Sequence, residues 1–193
     1  MATDVSICNS ALIKLGEEPI ISLTDSGKAA KLCSNRFEYC KDYVLGLHPW
    51  KAVRARAVLA PSVTTPLFGY TKKCPLPTDI LRVHFVTDSS GRVVEDGWTV
   101  EGDFLLANQS AVYLLYLRKL DDLSDIPEYL AELISLYLAI DIGFSLSQNV
   151  QLREQMRDMY ERALRRARGQ DTMNGPQQQL TADEWVNSRI YQY

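Results

Sequence analysis

The chain has 193 residues and a mass of 21.8 kDa, the size of one domain with room for a small inserted lobe. Hydrophobic residues at 46% and charged residues at 23% match ordinary globular usage and exclude wholesale disorder or a fibrous repeat. A net charge of −3 and a pI near 5.4 exclude a molecule that is basic throughout and binds nucleic acid over its whole surface.

No apolar run is expected to reach the ~18 residues of a membrane helix, because even 130–146 is cut by Glu132 and Asp141. The opening Met1-Ala2-Thr3-Asp4 has neither the basic region nor the apolar stretch of a secretory signal. A cytoplasmic chain without a membrane partner is the expectation. Cys8, Cys33, Cys40 and Cys74 form no CxxC pair, so they read as small buried hydrophobes in a reducing compartment.

In chain order, Val5, Cys8, Leu12 and Leu15 recur at helical steps, with Thr3 or Asp4 as cap and Gly16 as stop. Pro19 forces an extended link. Asp25 or Ser26 then caps a second helix with the stripe Ala29, Leu32, Cys33, Phe37, Cys40, Val44 and Leu47, ended by Pro49. From 50 to about 117 the pattern is of strands and turns. Pro61, Pro66, Pro75 and Pro77 punctuate a stretch that cannot be central sheet. Leu81, Val83 and Phe85 alternate with Arg82 and His84, predicting a half-buried strand.

Asp96-Gly97 between 92–95 and 98–101 is the strongest hairpin signal. Gly102-Asp103 and Asn108-Gln109-Ser110 supply further turns, giving an antiparallel meander of about five strands. A third helix, capped by Ser124 or Asp125 with Pro127 in its first turn, is apolar nearly all round and so central to the core. A fourth runs from Ser147 to Arg168 and is closed by Gly169, with the stripe Val150, Leu152, Met156, Met159, Tyr160, Ala163 and Ala167. From Gln170 the composition is polar, yet it ends in Trp185, Val186, Ile190, Tyr191 and Tyr193, aromatic and aliphatic groups that predict docking on another protein chain.

The fold class expected is α+β, mainly α. Residues 1–49 and 121–169 form a four-helix bundle, 50–120 an inserted antiparallel β-meander lobe, and 170–193 an extended docking tail.

Catalytic patterns are not found: there is no GxxxxGK[ST], GxGxxG, HExxH or GxSxG. His48 reads as a helix-end group and His84 as surface; no catalytic, cofactor or metal residue is assigned, and no enzyme activity is expected. Asp121, Asp122, Asp125 and Glu128 match no calcium loop and complement a helix dipole. The fourth helix carries Arg153, Arg157, Arg162, Arg165, Arg166 and Arg168 against Glu154, Asp158 and Glu161. That is either a solvated face or, at the basic end formed by Arg162, Arg165, Arg166 and Arg168, a contact surface.

Several stretches, in order along the chain, resemble one family. They are 9–23 (NSALIKLGEEPIISL), His48-Pro49-Trp50-Lys51-Ala52, Leu76-Pro77-Thr78-Asp79-Ile80-Leu81-Arg82-Val83, Val100-Glu101-Gly102 with Leu105-Leu106 and Leu115-Tyr116, and Asp183-Glu184-Trp185 with Arg189. Together they are similar to the phage tail tubular protein A family of head-to-tail adaptors. The resemblance implies a structural virion protein at the head–tail junction, found in the host cytoplasm before assembly. It implies a homo-oligomeric ring, commonly dodecameric, that docks under the portal protein, extends the channel for passing double-stranded DNA without sequence-specific binding, and carries the tail nozzle or next tail protein. Trp185, Val186, Arg189, Ile190, Tyr191 and Tyr193 would dock on the portal, and Arg162, Arg165, Arg166 and Arg168 would contact the ring or portal. A connector of a long-tailed phage, a cytosolic enzyme and a nucleic-acid-binding regulator stay open as alternatives.

Overall fold

The computed structural model describes residues 2–173. Helix α1 (Asp4–Leu15) opens on a reciprocal box: the Ser6 N–H donates to the Thr3 hydroxyl and the Thr3 N–H to the Ser6 hydroxyl. It stops at Gly16, whose φ of 77° is the left-handed geometry glycine takes without a Cβ clash. Asn9 fixes the link that follows. Its side-chain amide donates to the Ile20 carbonyl at 2.9 Å and its oxygen accepts the Ile20 N–H at 2.8 Å.

Helix α2 (Lys28–Leu47) starts after Gly27 with no side-chain cap. Asp25 is occupied elsewhere, accepting the Ile21 and Ser22 N–H groups, which corrects the expected cap. At the far end His48 is extended, and Trp50 is fully buried with its indole N–H donating to the Val44 carbonyl at 2.9 Å.

The strands form two three-stranded antiparallel sheets instead of a meander. One has the order β1 (Arg54–Leu59), β6 (Val112–Arg118), β3 (Ile80–Thr87); the other has β2 (Lys72–Pro75), β5 (Phe104–Ala107), β4 (Trp98–Glu101). The tight hairpin lies at Gly102-Asp103, joining β4 to β5. Residues 92–95 form no strand and touch β3 only through a bridge between Val93 and Thr87. Asp96-Gly97 is therefore a bend in a longer connection, where the Trp98 indole N–H donates to the Val94 carbonyl. Pro75 lies on an edge strand, as its missing N–H requires. In β3 the register shifts between Val83 and Phe85, so Phe85 turns outward and Val86 is buried in its place.

Helix α3 (Glu128–Ser147) follows Pro127, which occupies the cap position itself without a side-chain bond. Neither Ser124 nor Asp125 caps it. α3 packs against α1, α2 and α4 and buries Leu130, Leu133, Ile134, Leu136, Leu138 and Ile142. By length and composition it is apolar enough to cross a membrane, with a mean hydropathy of 1.5 and half of that window buried, so the interruption at Glu132 and Asp141 does not keep it below that threshold. Both carboxylates are paired across the helix packing. Glu132 meets the Lys14 ammonium at 3.0 Å, and Asp141 takes a two-pronged contact from Arg36 at 2.6 and 3.0 Å.

Helix α4 (Val150–Met173) is capped by Asn149, whose side chain accepts the Gln151 and Leu152 N–H groups. Ser147 belongs to the end of α3 instead, bonding back to the Gly143 carbonyl. α4 also continues past Gly169. Asp171, 2% exposed, accepts the Lys51 N–H and the Tyr129 hydroxyl, both at 3.0 Å, and this anchoring carries the helix four residues beyond the expected stop. Of its predicted stripe, Met156, Tyr160 and Ala167 are buried, while Val150 and Met159 are exposed.

Two cores result, one among the helices and one between the sheets. β6 joins them: Leu117 enters the helical core, while Val112, Leu114 and Tyr116 enter the other.

Candidate functional site

Arg162, Arg165, Arg166 and Arg168 lie on the last turns of α4, and all are exposed. None of their side chains has a salt bridge or hydrogen bond among the described residues. The carboxylates Glu154, Asp158 and Glu161 occupy the first half of the helix together with Arg153 and Arg157, and Arg157 pairs with Glu154, so the four later arginines form the more basic stretch. By the 3.6-residue period, Arg162 and Arg165 point away from the buried Met156–Tyr160–Ala167 stripe. Arg168 is turned toward the strands, where its charge reaches His48. Trp185, Val186, Arg189, Ile190, Tyr191 and Tyr193 lie outside the described residues.

Arg168 joins a basic corner built by β1 and β3. In register, Arg54, Leu117 and Arg82 form one row across the outer face of the β1–β6–β3 sheet, Arg56, Leu115 and Phe85 the next, and Val58, Tyr113 and Thr87 the third. Directly opposed residues share a face, so arginines flank an apolar strip. Leu117 is capped by the helices, but Val58 (64%) and Phe85 (40%) stay exposed. An open groove of about 580 Å³ runs over this strip, bounded by the 88–91 turn. Arg54 donates to the Pro49 carbonyl; Arg56 and Arg82 have no partner among the described residues.

The electrostatics follow from this crowding. Burial lowers the His48 pKa below the ordinary imidazole value, and Arg168, Arg54 and Arg82 push it further down. His84 is lowered in the same way, by burial first and then by Arg54 and Arg82. The His48 ring packs edge-on against Trp50 at 4.5 Å, and the His84 ring lies 3.9 Å from Phe85. Both imidazoles therefore titrate below the ordinary value beside guanidinium groups, with the Asp171 carboxylate opposing the shift at His48.

The other chemistry-bearing groups are structural. All four cysteines are buried. Cys33, beside it, and burial both raise the Cys8 thiol, and burial followed by the Asp141 charge pushes Cys40 up to about 12, so neither supplies a thiolate. Asp122 accepts the Ser124 N–H and hydroxyl, bonds that lower its pKa and close the turn before α3. Among the described residues no three His, Cys, Asp or Glu side chains converge as metal ligands.

No family model matches this chain, and no curated protein does. The site must therefore be judged on its own surface.

Three highly exposed large hydrophobics lie where sequence reasoning assigned only a proline-punctuated loop. Val63, Leu67 and Phe68 are 101%, 98% and 87% exposed. Their loop, between β1 and β2, is closed at its base by the Ser62 N–H donating to the Lys73 carbonyl at 2.7 Å and by the Thr71 N–H donating to Asn108. A loop with clamped ends and apolar tips is a common carrier of function. The signal in sequence was Pro66-Leu67-Phe68-Gly69, consecutive apolar groups in a segment with no strand alternation to bury them.

Proposed function

We propose that the chain is a structural assembly subunit, a head-to-tail adaptor of a phage, forming a ring that docks under the portal and carries the tail nozzle. In this reading α1 to α4 act as one four-helix bundle that frames the ring, the two sheets form the inserted lobe, and the mechanism is assembly without turnover. The observation that carries it is the surface inventory: exposed apolar groups at Val63, Leu67 and Phe68, and, on α4 and the outer sheet face, Arg162, Arg165, Arg166, Arg56 and Arg82, whose side chains have no bonded partner among the described residues. Isolated monomers rarely display contiguous apolar groups without a partner. The ordered set of family-like stretches supports the same reading, and four of them have defined local roles: Asn9 clamps Ile20, Trp50 closes the helix–strand junction, Asp79 accepts the Tyr116 hydroxyl, and Gly102 turns the β4–β5 hairpin.

The test is mass photometry of the chain mixed with portal rings from the same phage, comparing full length with a chain ending at Met173. That cut keeps the Asp171 anchor, which a cut at Gly169 would remove. Stoichiometric decoration by full length alone assigns docking to 174–193. Decoration by both assigns it to the described body, with Arg165→Glu/Arg166→Glu weakening it. Absence of decoration by either refutes the adaptor. A tail-tube partner in place of a nozzle would identify the long-tailed connector instead.

A further inference from the structure

Two surface features elsewhere on the described chain are complementary. One is the loop between β1 and β2, with Leu67 and Phe68 exposed midway along it, Val63 exposed beside the Ser62 clamp, and Lys72 and Lys73 at its base. The Lys73 ammonium sits over the Phe104 ring at 3.8 Å, fixed at the root of the loop. The other is a hollow of about 650 Å³ where α1 turns into α2. It is lined by Glu17, Glu18, Ile21 and Asp25, with Leu146 at the end of α3. Its one ammonium, Lys28, is tied to the Ser145 carbonyl. Ile21 stands at this hollow 92% exposed.

We infer that the loop between β1 and β2 of one copy inserts into the α1–α2 hollow of a second copy, Leu67 and Phe68 covering Ile21 while Lys72 and Lys73 face Glu17, Glu18 and Asp25. The occupant is another copy of this chain because each feature supplies what the other lacks: apolar tips meet an exposed apolar residue, and two ammonium groups meet three carboxylates. The hollow is of ligand-cleft size. Its rim is held in advance, since Asn9 clamps Ile20 and Asp25 clamps Ile21 and Ser22, so little ordering entropy is lost on docking. The loop is likewise closed at Ser62 and Lys73. A contact between two different patches is head to tail, and repetition of it gives a closed ring or an open filament. This rests on the ring reading above and deepens it by naming the surfaces.

Cysteine trapping tests it, because all four native thiols are buried. In the full chain, Ile21→Cys and Phe68→Cys together, under mild oxidation, are expected to give a ladder of cross-linked dimers, trimers and higher species. An equimolar mixture of the two single variants should stop at the dimer, and each alone should stay monomeric. Adding Lys72→Glu/Lys73→Glu should lower the yield roughly tenfold, as loss of steering at a charged rim does. Glu17→Lys/Glu18→Lys in the same chain should restore it. Circular dichroism on each variant checks that these exposed substitutions leave the fold intact. No ladder, a ladder indifferent to charge reversal, or a Phe68→Cys dimer formed by itself overturns the inference. Portal decoration is measured separately, so a ladder without decoration refutes the adaptor and leaves this contact, and decoration without a ladder does the reverse.

Discussion

Asp171→Ala attacks the point where the end of α4 is fastened to the start of the strand region. The carboxylate accepts two hydrogen bonds at 3.0 Å, from the Lys51 N–H and the Tyr129 hydroxyl, at 2% exposure. Bonds to a charged acceptor contribute about 1.5–3 kcal/mol each, and the two donors would be left buried without partners. Against this, the fold no longer bears the cost of keeping a carboxylate out of water. The balance is a loss of about 3 kcal/mol, which lowers Tm by roughly 6–12 °C in a domain of this size. Asp171→Asn keeps an acceptor oxygen and should lose about 1 kcal/mol, the neutral-bond share. Thermal and urea unfolding followed by circular dichroism give the stability. Hydrogen exchange at the Lys51 amide gives the local effect, with protection falling in the alanine variant before any global change. An unchanged Tm together with an unchanged Lys51 exchange rate would refute the reasoning and release α4 from the role assigned to Asp171.

Packing and charge give three more predictions. At Gly143 on α3 an added Cβ would lie 3.0 Å from Leu15 Cδ2 on α1; Gly143→Val should therefore destabilise by about 1–3 kcal/mol through overpacking, read as a lower urea midpoint, while Leu15→Ala in the same chain relieves part of it. His48 and His84 have pKa values lowered on folding, so the unfolded chain binds more protons than the native one as pH falls. Their stabilising contribution is full above the ordinary imidazole pKa and is lost as pH drops through that value toward their native ones. Tm should decline between about pH 7 and 5, and His48→Gln/His84→Gln should flatten that limb. Arg82→Gln should raise both histidine pKa values in an NMR titration, since its charge acts on each.

The helices were legible wherever a local signal had no competitor. Thr3 and Gly16 bound α1 because cap and stop are properties of a few adjacent residues. Asp25 failed as a cap because the preceding turn uses the same oxygen. Gly169 failed as a stop because the propensity cost of one glycine, about 1 kcal/mol, is smaller than the anchoring of Asp171 by groups 42 and 120 positions away. The strand region was misread for a related reason. Asp96-Gly97 does permit its turn, with Gly97 at a φ of 82°, but pairing is decided by which segments meet across the sheets, and β4 pairs with β5. The Phe85 reversal needs a bulge that alternation does not display. For the candidate site, the arginines of α4 were readable as a charge pattern. The corner with Arg54, Arg56 and Arg82 was not, because cross-strand register alone brings them together.

Because each sheet has three strands among the described residues, β1, β2, β3 and β4 are edge strands, the template on which copies of a protein can pair uncontrollably, although Ser62 covers part of the β2 edge and the 92–94 segment part of the β3 edge. Each edge carries its own obstacle. β1 has Arg54 and Arg56, β2 has two lysines and Pro75, β3 has two register shifts, and β4 ends on Glu101. The ring proposed above would need protection from amyloid-like stacking while its specific contacts stay available. Here backbone pairing between copies is obstructed along every edge, which leaves side-chain surfaces to determine how copies meet.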